Sequence, residues 1–259
     1  MPRSTRFGIR FMGLLALALA FAAAAAAPAS IYRDAVAAKG RSDADRARDQ
    51  RDHPEEILAF AGFKPGMNVA DLFGGSGYNA ELLSHVVGPK GEVLIVNNAG
   101  YAKYGAKELD PRLADNRLPN VKHHVAEPDD LKLGKNTLDG ALIVMSYHDL
   151  YWVDEKQGWS KIDAGKFLDQ VADALKPGAV LVVVDHSAKE GTGSAPAQTL
   201  HRIDEAFAKS DITAHGFVFD GSLDILRNPD DDRNKVVFDP TIRGKTDRFV
   251  HRYRKAKLK

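Results

Sequence analysis

Short, largely apolar runs at 67–73, 92–97, 138–146 and 179–185, with a more polar strand expected at 121–126, leave this chain few folds to choose from. A strand covered on one face alternates apolar and polar residues, whereas one buried on both faces reads as a continuous Val/Ile/Leu run. Helical patterns at 77–87, 111–118 and 163–175 lie between the runs. Strands alternating with helices predict a parallel, doubly wound sheet. After a further helix expected over 198–209, strands at 217–226 and 247–253 follow with only the polar stretch 227–245 between them. Without a crossover helix those two strands should pair antiparallel. The expected architecture is α/β: a Rossmann-like, doubly wound seven-stranded sheet of five parallel strands plus a C-terminal antiparallel pair, filling one domain over 53–259.

Upstream, residues 30–52 are rich in Arg, Asp and Ala and predict a solvated polar arm or helix. Pro54 followed by Glu55 and Glu56 opens the first helix of the domain, and Gly62 stops it. Residues 1–29 have the form of an export leader. Arg3, Arg6 and Arg10 precede an uncharged, Ala- and Leu-rich run over 11–27, and Ala27-Pro28-Ala29 offers a cleavage site. The run is short for the roughly 20 apolar residues that span a bilayer. The expectation is cleavage and a periplasmic or secreted chain without stable membrane insertion. Losing three arginines and no acids would take the net charge from +1 to −2.

That near-neutral balance gives no sign of a nucleic-acid partner, which needs a marked basic excess. The absence of cysteine excludes disulfides, thiolate metal sites and a cysteine nucleophile. No metal site is expected: His123 and His124 lie in one strand and point to opposite faces. Asp230-Asp231-Asp232 lacks calcium-loop spacing and reads as a solvated turn.

The sharpest motif is Val69-Ala-Asp-Leu-Phe-Gly-Gly-Ser-Gly-Tyr78. A glycine cluster between a strand and its helix lets a ligand approach the backbone and meet helix-terminal N–H groups. With Lys64-Pro65-Gly66-Met67, Glu127 near Asp130-Leu131, Leu138-Asp139-Gly140 and Leu175-Lys176-Pro177-Gly178, it forms an ordered set. In that order the chain resembles the class I S-adenosylmethionine-dependent methyltransferases over about 53–253. The Ser146-Tyr147-His148-Asp149, His201-Arg202-Ile203-Asp204 and 243–248 blocks resemble exported predicted methyltransferases of that superfamily. The resemblance implies an enzyme that uses S-adenosylmethionine to methylate a small molecule. It implies a cofactor site at Asp71, Gly74, Gly75, Gly77, Tyr78, Asn97, Asn98, Glu127, Ser146 and Tyr147.

Two positions depart from the family pattern. Phe73 stands where a glycine is usual, and Asn97-Asn98 end the second strand where a ribose-binding acid is usual. Gly75-Ser76-Gly77-Tyr78-Asn79-Ala80 also reads as a dinucleotide fingerprint, so a nicotinamide-dependent oxidoreductase is an alternative. A non-catalytic exported binding protein on the same fold is another.

Ligands of open α/β sheets bind beyond the C-terminal strand ends. There the fourth strand runs into His148-Asp149 with Tyr151 and Trp152 close behind. His148 is the candidate base, with Asp149 orienting it, and Asp185-His186 at the end of the fifth strand form a second pair, of which His186 is the catalytic candidate. Tyr147 or Trp152 would face the sulfonium or a flat substrate. His201 is expected in a helix, at the surface or the pocket rim rather than in catalysis.

Overall fold

The computed structural model describes Met1 and residues 30–157 and 159–257. The leader expected over 1–29 therefore lies, Met1 apart, outside the described residues. No helix among the described residues is long and apolar enough to cross a membrane.

Seven strands form one sheet in the order β3-β2-β1-β4-β5-β7-β6. These are β1 (Asn68–Leu72), β2 (Glu92–Asn97), β3 (Val121–Val125), β4 (Leu138–Val144), β5 (Leu175–His186), β6 (Phe217–Leu223) and β7 (Arg248–Lys255). The first five are parallel, and β7 runs antiparallel to both β5 and β6, as expected. Alternation of side chains along each strand divides the core in two. Leu181 and Val183 of β5 pack with Ala141, Ile143 and Phe249 on one face. Val180, Val182 and Val184 pack with Leu142 and Val250 on the other.

Helices α1 (Ser30–Val36), α2 (Asp43–Asp52), α3 (Pro54–Ala61) and α4 (Tyr78–Val87) come first, then α5 (Ala99–Leu113) and α6 (Ala164–Ala174). The chain closes with α7 (Ala197–Leu200) and α8 (Glu205–Ala214). Three expectations need correction. The helix predicted over 111–118 is α5, which starts twelve residues earlier at Ala99 and carries Pro111 inside it. Gly100 and Gly105 weaken its helical signature, but the Asn98 side chain caps it by accepting from the Tyr101 N–H at 2.8 Å.

The helix predicted over 198–209 is broken. Ile203 pairs with Ser187 at the end of β5, its N–H donating to His186 O at 3.0 Å. Arg202 is fully buried against Asp231, at 2.8 and 3.2 Å, so Asp231 is not part of a solvated turn. Asp204 then caps α8 by accepting from the Ala206 N–H at 2.9 Å.

The arm at 30–52 is likewise no solvated appendage. Its acids Asp45, Asp49 and Asp52 are buried. Arg41 donates both terminal nitrogens to Asp49 at 2.6 and 2.8 Å, Arg112 of α5 pairs with Asp45 at 2.7 Å, and Arg248 of β7 pairs with Asp52 at 2.8 Å. A charge pattern that suggests a surface helix is instead matched by arginines far along the chain. The packing carries Arg48 to the mouth of the glycine loop, where its guanidinium lies 3.9 Å from the Tyr78 ring centroid.

Candidate active site

Strands β1 and β4 end alike. Phe73 (φ 52) and Met145 (φ 54) each take a left-handed conformation immediately after the strand, and each donates its N–H to the neighbouring strand. Bulky residues rarely adopt that conformation, and it concentrates at functional sites. Both line a cleft of about 470 Å³ at the C-terminal ends of the strands, together with a third such residue, His201 (φ 52). Phe73 thus makes the turn that a glycine was expected to make.

Gly74 and Gly75 form the floor of the cleft. A Cβ on Gly74 would stand 2.6 Å from Asp71 Oδ2, so the loop can cross the carboxylate only as glycine. Asp71 is fully buried, and neither oxygen completes a hydrogen bond. Burial pushes this carboxyl up to about 7, against the pull of Arg48, the Ala80 N–H and the Asn79 side chain. Gly77 has a packing role, since a Cβ there would meet Leu109 at 2.8 Å. Tyr78 lines the cleft and donates its hydroxyl to Asp49 at 2.7 Å.

Several expected cofactor contacts are spent elsewhere. Asn97 is fully buried and its Oδ1 accepts from the Gly75 N–H at 3.0 Å, so it braces the loop from beneath. Asn98 caps α5. Glu127 accepts from the Ala99 N–H at 3.1 Å outside the cleft wall. Ser146 is buried, and Tyr147 is buried with its hydroxyl donated to Asp211, so neither faces the cleft. The first turn of α5, beyond the end of β2, is instead overlain by Trp159, whose ring would meet a Cβ on Gly100 at 3.3 Å and packs edge-on against Tyr101.

The polar end of the cleft is built from His148, Asp149, His186 and His201. Asp185 also holds His148: it accepts from the His148 N–H at 2.7 Å and pairs with the ring Nδ1 at 2.8 Å. The other ring nitrogen, Nε2, lies 3.2 Å from Asp149 Oδ1. Tyr101 donates to the second oxygen of Asp149. Burial alone would lower the His148 pKa, but the charges of Asp149 and Asp185 outweigh it and push the ring up to about 9. Each ring nitrogen of His148 thus faces a carboxylate, Nδ1 that of Asp185 and Nε2 that of Asp149. His186 is held well below the usual histidine range by burial and by the charge of His148, so it is neutral. Its Nδ1 is 2.7 Å from Thr246 Oγ1.

Sequence reasoning missed Arg48, Tyr101, Tyr104, Trp159 and Phe238 on the cleft wall, and placed His201 at the rim without the Asp149 that it faces. Arg48 arrives on a segment held by distant ion pairs, and Tyr101 and Tyr104 on a helix whose start the glycines obscured.

No protein-family model matches the chain. Among curated proteins, the ubiquinone/menaquinone biosynthesis C-methyltransferase UbiE of Shewanella oneidensis is 30% identical over 131 residues, covering 50% of this chain and 47% of that protein. UbiE of Shewanella baltica matches to the same extent. The chain thus spans about half the length of the curated relatives it matches. A SAM-dependent methyltransferase from Aquifex aeolicus superposes with a TM-score of 0.60 at 20% identity, over 81% of this chain and 93% of that one. This chain has the class I methyltransferase fold. The [4+2]-cyclase SpnF superposes equally well, with a TM-score of 0.60 at 14% identity over 88% of this chain and 93% of that one. The fold therefore does not by itself specify the reaction.

Proposed function

We propose that this chain is an S-adenosylmethionine-dependent methyltransferase whose acceptor is a small, flat, hydroxylated molecule. The observation that carries the reading is the floor of the cleft: a glycine turn above a buried carboxylate that no hydrogen bond satisfies, with an arginine at its edge. The amino-acid end of S-adenosylmethionine carries an ammonium and a carboxylate, and these residues fit it. Arg48, the only lysine or arginine on the cleft wall among the described residues, would take the carboxylate, and the charge of Asp71 would favour the ammonium above the loop. At the ribose end the fit differs, because Asn97, standing where an acid is usual, is turned under the loop onto Gly75. Tyr101, Tyr104 and Trp159 offer aromatic faces there instead.

When bound, S-adenosylmethionine supplies an electrophilic methyl carbon. The chain's own part is to place the acceptor in line with that carbon and to exclude water. Trp152 and Phe238 flank His201, at ring-centroid separations of 5.2 and 4.9 Å, and make a slot for a flat ring. Asp149 and His201 present hydrogen-bond acceptors for a hydroxyl at the end of that slot. The curated relatives are C-methyltransferases, and a ring carbon activated by a neighbouring hydroxyl suits a cleft with aromatic walls and one polar end. The leader-like sequence at 1–29 supports an exported setting, which N-terminal sequencing of the mature chain would test.

Calorimetric titration of the purified chain with S-adenosylmethionine, S-adenosylhomocysteine and NAD tests the reading. Micromolar binding of the first two, weakened at least tenfold by Arg48→Met, is expected, with no heat from NAD. A folded sample that binds neither would sink it.

A further inference from the structure

We propose that His148, Asp149 and His201 form a binding site for one divalent transition-metal ion at the acceptor end of the cleft. Three donor atoms, one from each side chain, lie within 4.8 Å of one another. His148 Nε2 is 3.2 Å from Asp149 Oδ1, and His201 Nδ1 is 3.6 Å from the same oxygen. Ligands bonded to one ion at about 2.1 Å, with tetrahedral or octahedral angles, stand roughly 3.0–3.4 Å apart. The His148–Asp149 pair already meets that spacing, the His201–Asp149 pair needs a closure of a few tenths of an ångström, and the two histidine nitrogens, within 4.8 Å of each other, close as both rings turn onto the ion.

The outer partners are those a metal-binding histidine requires. Such a histidine usually gives its second ring nitrogen to a carboxylate, which fixes the tautomer and directs the lone pair at the ion. Asp185 does this for His148, gripping both its ring Nδ1 and its backbone N–H. Tyr101 donates to the Asp149 oxygen that does not face the histidines, leaving the other for an ion. His201 is held in a left-handed backbone conformation beside the buried Arg202–Asp231 pair, so its direction is set by the fold.

Two imidazoles and one carboxylate select a first-row ion such as zinc, cobalt, iron or manganese over magnesium or calcium, which prefer all-oxygen sites. Three protein ligands leave coordination positions open toward the cleft, the arrangement of a site that also takes substrate. The occupant we assign to an open position is the hydroxyl oxygen of the acceptor. Bound to the ion, the hydroxyl loses its proton to water at the cleft mouth and is left as the oxyanion that activates the ring. This last role rests on the methyltransferase reading; the ion site itself does not.

The test is titration of the chelator-stripped full chain with zinc and with cobalt. One equivalent should bind with a micromolar or tighter Kd, and cobalt should give visible d–d absorption. Asp149→Asn and His201→Asn should each raise the Kd at least tenfold; asparagine tolerates the left-handed position, so the second variant keeps the backbone. The surface substitution His215→Gln should leave binding unchanged. No saturable binding to the folded chain, or binding that survives both cleft substitutions, would overturn the proposal. Because S-adenosylmethionine affinity is read separately, metal binding without cofactor binding would sink the functional reading and leave the ion site standing.

Discussion

The carboxylate of Asp185 grips His148 twice, at the backbone N–H (2.7 Å) and at ring Nδ1 (2.8 Å), so a residue of β5 sets the direction of an imidazole carried on the turn after β4. These strands are neighbours in register, with Val144 beside Val184, which puts the two loops one residue apart in space. Asp185→Asn should leave the chain folded and its S-adenosylmethionine affinity within about threefold, yet lower turnover roughly 10–100-fold, the usual cost of losing such an outer partner. Comparing kcat with cofactor Kd checks this, and an equal loss in both would refute the positioning role.

Gly105 of α5 packs on the glycine loop so closely that a Cβ would stand 2.4 Å from the Gly75 carbonyl carbon and oxygen. Both contacts are backbone, so no side chain can yield. Gly105→Ala should destabilise the fold by about 1–3 kcal/mol, as overpacking does. At about 2–4 °C per kcal/mol for a domain of this size, thermal melting would resolve it. Cofactor affinity should fall in parallel, because the displaced backbone is the cleft floor.

Arg202 and Asp231 are both fully buried and paired, and the Asp231 carboxylate also accepts from the Asp247 and Arg233 N–H groups at 2.7 and 2.9 Å. Arg202→Met would leave that carboxylate without its cation, and uncompensated buried charges cost about 3–5 kcal/mol. Urea unfolding should show the loss, and adding Asp231→Asn should recover part of it. A single substitution without effect would refute the pairing.

Glu205 bridges Arg227 at 2.7 Å and His251 Nε2 at 2.8 Å. Burial would raise its pKa, but the hydrogen bonds from His251 and Arg227 outweigh burial and hold it down to about 2, against an ordinary 4.5. A depressed acid stabilises the fold above its unfolded pKa, and that contribution is lost as pH falls through the window from about 4.5 to about 2. The melting-temperature advantage of the native chain over Glu205→Gln should therefore be full near pH 6 and shrink steadily below pH 4.5. A difference that does not change with pH would contradict this assignment.

The seven-stranded sheet, its parallel and antiparallel parts and the glycine turn were legible in the sequence. Each follows from local patterning: apolar runs that need cover on both faces, helices that intervene between strands, and a turn that only glycine can make above Asp71. The position of His148 beyond β4 was legible for the same reason. Its second partner was not, because Asp149 adjoins it in sequence while Asp185 adjoins it across the sheet. Asn97 reads as a ribose ligand by its position at the strand end, yet its amide is turned under the loop onto Gly75. Arg48, Tyr101, Trp159 and His201 reach the cleft on segments placed by distant ion pairs, a cap and a strand-like bridge. Sequence alone determined what could be settled by residues a few positions apart. The chemistry at the cleft depends on side chains brought together from tens of residues away, and only the tertiary packing decided it.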